Sequence, residues 1–126
     1  MMSSKMAQLH YDFAKEDVQF VSITVDPARD TPEKLKEYAG QYQADPRRWW
    51  FLTGSADQIY DLSVNGFRLA ARTQTAPSSD HPILHSTRFV LVDRRGRIRG
   101  YYEGTDTAAL QKLRKHAEQL LKEPPL

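Results

Sequence analysis

Apolar positions along this chain follow first one period and then another, and the switches divide it into elements. Leu9 and Phe13, with Met2, Met6, Ala7 and Ala14, recur near helical spacing and predict a helix over residues 2 to 15. Residues 18 to 25 are apolar at Val18, Phe20, Val21, Ile23 and Val25, too many for one wet face, and read as a buried, parallel strand. Asp26-Pro27 ends it. Thr31 then offers a cap, Pro32 the first helical position and Glu33 an acid at the positive dipole end, so a helix should run to about Tyr42. Trp49 to Leu52, between Arg48 and Gly54, predicts a strand. Ser55 and Gln58 form a capping box ahead of a helix over 55 to 66 with Ile59 and Leu62 on one side. The Ser, Thr, Pro and Asp content of residues 72 to 82 signals a loop. Residues 87 to 92 and 97 to 103 flank Asp93-Arg94-Arg95-Gly96 as an antiparallel hairpin, with Gly96 suited to positive φ. A final helix starts near Thr105 or Asp106, aligns Leu110, Leu113, Ala117, Leu120 and Leu121, and stops at Pro124-Pro125. The order of elements predicts an α/β sheet with helices on both faces, in one domain over residues 1 to 126.

Composition narrows the function classes. The 126 residues are the size of one domain, and 18 basic against 16 acidic residues give no electrostatic case for a nucleic-acid partner. The clustered Arg94, Arg95, Arg97 and Arg99 read as a solvated hairpin tip. There is no cysteine, which removes thiol catalysis, disulfides and thiolate metal ligation from these residues. No apolar run approaches the roughly 20 residues of a membrane span, and the first residues lack a signal-peptide core, so the chain as written is expected in the cytosol.

The segment Val21-Ser22-Ile23-Thr24-Val25-Asp26-Pro27-Ala28-Arg29-Asp30-Thr31-Pro32-Glu33 resembles the D-P-x-R-D-T-P strand-to-helix signature of the Sco/SenC family. Leu52-Thr53-Gly54, His85-Ser86-Thr87 and Asp93 match later landmarks of that family in order and approximate spacing. The resemblance implies a thioredoxin-like sheet with flanking helices. It also implies copper as the metal, held in the family by two thiolates of a Cys-x-x-x-Cys-Pro motif and one distant histidine, to which His85 corresponds. The partner implied is the copper-site subunit of cytochrome c oxidase. The location implied is the periplasm, the inner membrane or the mitochondrial intermembrane space. The cysteines have no counterpart here, so the expectation is an N-terminally shortened copy that lacks the strand leading into the motif.

Each candidate residue has a plainer alternative. His81 lies four before His85, but Pro77 and Pro82 argue against a helix that would align the two on zinc. His10 and His116 fall on amphipathic helices, where a solvated or capping role is the default. Asp26, Arg29 and Asp30 could shape the mouth of a redox site or form a salt-bridged turn that anchors the next helix. Met1, Met2 and Met6 read as core filling, and Trp49-Trp50 as core and sheet edge. Three functions follow: a copper-binding Sco-type protein whose activity is limited by the missing thiolates; a fragment of a thioredoxin-superfamily thiol oxidoreductase or peroxidase; and a non-catalytic interaction module. If a strand is missing, residues 18 to 25 and 87 to 92 either pair directly or present open edges that favour a homodimer.

Overall fold

The computed structural model describes residues 2–69, 72–75, 82–85 and 87–124. They divide into two compact units, residues 1–18 with 87–126, and residues 19–86.

In the first unit, helix α1 (Met2–Asp12) is followed by a turn in which the Phe13 N–H donates to Leu9 O. Strands β5 (Arg88–Val92) and β6 (Ile98–Glu103) form the expected hairpin, with Gly96 at φ 78° and a bulge at Leu91/Val92. Helix α4 (Thr107–Leu121) is capped by Asp106, whose side chain accepts from the Ala108 N–H. Leu110, Leu113 and Ala117 recur at helical spacing and are buried, as are Phe89 and Tyr102 on the hairpin and Leu9 and Phe13. Arg114 donates to Asp12 at 3.1 Å. Of the solvated and capping roles expected for His10, burial rules out the first.

In the second unit, β1 (Phe20–Ile23), α2 (Pro32–Gln41) and β2 (Trp49–Leu52) make a parallel β-α-β crossover. The Thr31 hydroxyl accepts from Lys34 N–H, and Pro32 takes the first turn, as the sequence predicts. Ser55 and Gln58 close the capping box on α3 (Ala56–Asp61), which continues as a π-helical turn over Leu62–Gly66. Two expectations are corrected here. The loop expected over residues 72 to 82 instead holds β3 (Arg72–Thr75) and runs into β4 (Pro82–His85), paired antiparallel; polar Arg-Thr-Gln-Thr has no apolar alternation to betray it. β1 is also not buried on both faces, since Val21 is 39% exposed. The described ladders are β1–β2, β3–β4 and β5–β6.

Candidate functional site

The signature segment builds a polar knot at the end of β1. The buried Thr24 leaves the strand with its N–H on Leu52 O, and its hydroxyl donates to Asp30 Oδ2 at 2.6 Å while accepting from the Asp26 N–H at 3.0 Å. Asp26 O accepts from the N–H groups of Arg29 and Asp30, and Arg29 Nε lies 3.6 Å from Asp26 Oδ2. The chain thus turns within five residues and delivers Thr31 as a cap. Arg29 is 85% exposed at its side chain, so that ion pair contributes little, and the buried threonine holds the turn. The anchoring turn weighed for Asp26, Arg29 and Asp30 is formed.

His85 ends β4, in register opposite Arg72. The hairpin that carries it went unseen in sequence, so its position on a strand is a finding of the structure. His81 and Ser86 lie outside the described residues, as do the side chains of Met1 and Met2. Among the described residues no three His, Cys, Asp or Glu side chains converge as a metal cluster would require. Free cysteines are absent from the sequence. The donors present therefore do not by themselves make a thiolate copper site.

Two further constellations lie in the first unit, and the first of them carries no sequence signal. Tyr102, buried on β6, shares a hydrogen bond of 2.5 Å with His116 Nδ1 on α4, and burial pushes its phenol up. Neither residue belongs to a recognisable motif, and only the meeting of strand and helix joins them. At the β5–β6 turn, Asp93 Oδ1 accepts from the N–H groups of Arg95 and Arg97, and Oδ2 from Arg97 Nε and Arg99 Nη1. Arg99 also meets Glu123 at 2.9 Å, and Arg94 donates to Glu123 O. The arginine cluster is thus largely spent on holding its own hairpin, which agrees with a hairpin tip rather than an anion-binding patch.

The class the fold defines is thioredoxin-like, and solved structures bear this out. A SCO1/SenC family lipoprotein from Bacillus anthracis aligns over 96% of this chain and 71% of its own, at 31% identity and TM-score 0.79. BsSco, described as a member of the Sco family of cytochrome c oxidase assembly proteins, aligns over 98% of this chain and 72% of its own, at 25% identity and TM-score 0.78. Yeast Sco1 with copper bound shares the fold, with TM-score 0.61 at 24% identity over 98% of this chain and 71% of its own. The SCO1/SenC family model matches residues 1–120, and the chain belongs to that family. A SCO1 homologue from Bacillus subtilis is 30% identical over 83% of this chain; the chain spans about half the length of that relative, 54%.

Proposed function

We propose that this chain handles copper as a Sco-type protein serving the assembly of the cytochrome c oxidase copper centre, with His85 as a copper ligand. The observation that carries the reading is the family match over residues 1–120, which includes the histidine of His85-Ser86-Thr87. Copper is the cargo rather than a resident cofactor. Cu(I) is soft and favours sulfur, so one imidazole supplies a minor share of such a site, and thiolates would have to come from outside these 126 residues. The family is chiefly one of copper chaperones. A thiol-disulfide or peroxidase activity needs a thiolate that these residues do not supply, and the chain alone is expected to turn over neither insulin disulfides nor peroxide.

Cu(I) competition titration tests the assignment. These residues should bind no tighter than about micromolar, and His85→Ala should weaken what binding there is. Much tighter one-to-one binding that survives His85→Ala would remove both the ligand and the softness argument. The reading includes an oxidase copper-site subunit as partner, and a homodimer through β1 as a second association. Parallel pairing turns the backbone of Phe20, Ser22 and Thr24 toward β2 and leaves Val21 and Ile23 facing outward. Val21→Pro removes one outward N–H and should abolish any self-association seen by sedimentation, if that edge carries it.

A further inference from the structure

The second unit has another open edge, on β2, and it lies in a cleft. Phe20 N–H donates to Arg48 O and Thr24 N–H to Leu52 O, which fixes the phase of the parallel ladder. In that phase Trp50 and Leu52 turn their backbone groups toward β1, so the N–H and C=O of Phe51 point away from it. β2 pairs with β1 alone among the described residues. A cleft of about 390 Å³ follows this edge, for it is lined by all four residues of β2, from both faces of the strand, and by α2. Leu35 and Ala39 supply the helical wall.

The walls are fixed before anything binds. Trp50 is 49% exposed, yet its indole Nε1 donates to Pro46 O at 3.1 Å, and Trp49 Nε1 donates to Ser22 Oγ at 2.9 Å. The exposed Trp50 indole thus offers its ring, with no free donor, to whatever lies in the cleft, while the buried Trp49 holds the strand beneath it. Lys36 is the one charged side chain among the lining residues, and among the described residues no ion pair engages it. A lysine on an edge strand would blunt that edge, but Lys36 stands on α2, across the cleft from the open backbone.

We propose that this edge receives an extended segment of a partner protein by strand addition, apolar where it faces Leu35 and Ala39 and acidic opposite Lys36. Backbone pairing with Phe51 supplies a donor and an acceptor, the apolar walls take alternate side chains, and the ammonium selects an anion at one end. A second copy is the poorer occupant on charge, because symmetric pairing of β2 with itself would bring two copies of Lys36 to one joint. The site is independent of copper and of His85.

The probe is a fluorescein-labelled hexapeptide that begins with aspartate and alternates valine with threonine, titrated into the whole chain and read by anisotropy. Saturable binding is expected, weakened about tenfold or more when alternate peptide nitrogens are methylated on the pairing edge, because backbone pairing is the main attachment. Lys36→Glu should weaken it about threefold, and a peptide beginning with lysine should recover that loss on the variant. Ala39→Trp, which fills the cleft, should block it. Absence of binding at about 1 mM peptide, or binding indifferent to N-methylation and to Lys36→Glu, would overturn the proposal. So would concentration-dependent self-association that the peptide cannot displace, since the edge would then belong to a second copy.

Discussion

Between β5 and β6 a single carboxylate accepts four hydrogen bonds, and the side chains of Arg94, Arg97 and Arg99 are engaged. Along β1 and β2 the reverse holds. Trp49 is 2% exposed, stacked on Phe51 at 4.8 Å with Tyr42 beyond it, yet the alternate residues Val21, Trp50 and Leu52 remain open, and among the described residues neither strand has a second ladder partner. The hairpin closes on itself by polar contacts at its surface. The crossover is closed on one face and unfinished on the other. A region with satisfied donors and acceptors has little to offer a partner, whereas exposed apolar side chains beside an open edge are what docking requires. Val92 and Tyr101 on the hairpin are also 42% and 40% exposed, so the contrast lies in the polar closure of the β5–β6 turn against the apolar cleft beside β2.

Removing the anchor of the unfinished region should have the largest effect. Trp49→Ala deletes the most buried side chain among the described residues, its stacking on Phe51 and its bond to Ser22 Oγ, and should cost about 3–5 kcal/mol in urea unfolding. Hydrogen exchange sharpens the test. Amides of β1 and β2 should lose protection while those of Arg95 and Arg97, held by Asp93, keep theirs. Equal loss in both would erase the distinction between the regions.

A smaller cost is expected on the hairpin. A Cβ at Gly100 would sit 2.6 Å from Tyr102 Oη and 2.8 Å from Cζ, so Gly100→Ala must displace the ring from its place beside His116. Overpacking of this kind costs about 1–3 kcal/mol. In a Tyr102→Ala background the same change should cost much less, since the obstructing atoms are gone. If the two changes add, the phenol does not fix the glycine.

Much of this was legible in the sequence, and the omissions have physical reasons. Thr31-Pro32, Ser55 with Gln58, and Gly96 name their positions through local chemistry, so those caps and that turn are found where the residues put them. β3 and β4 were missed because Arg72 to Thr75 is polar throughout and Pro82 argues against a strand; the ladder there depends on a partner, not on propensity. The burial of β1 was overestimated because a continuous apolar run cannot say whether both faces have neighbours. For the candidate site, the D-P-x-R-D-T-P stretch and His85 could be picked out as family landmarks. Thr24 as the pivot of the turn, and the open edge of β2, needed the register.

The smallest effect expected is on the acid limb of stability, and it probes what makes the hairpin self-sufficient. The Arg97 N–H is the foremost influence holding the Asp93 carboxyl well below the usual carboxylate range; the Arg99 and Arg97 side chains and the Arg95 N–H act in the same direction, while desolvation opposes them. A carboxyl depressed in the folded state contributes stability that is present above its ordinary value of 3.8 and is lost as pH falls through the folded value. Denaturant midpoints should therefore decline more steeply below about pH 4 in the parent chain than in Asp93→Asn, which has no proton to take up. Salt separates the contributors. At about 1 M ionic strength the Debye length is roughly 3 Å, so the guanidinium share at this exposed turn should be screened while the N–H donors keep theirs. Part of the difference between the two chains should consequently survive high salt. Its complete disappearance would mean that the arginine side chains, not the backbone of the turn, hold the carboxylate, and that the hairpin is closed by charge rather than by its own geometry.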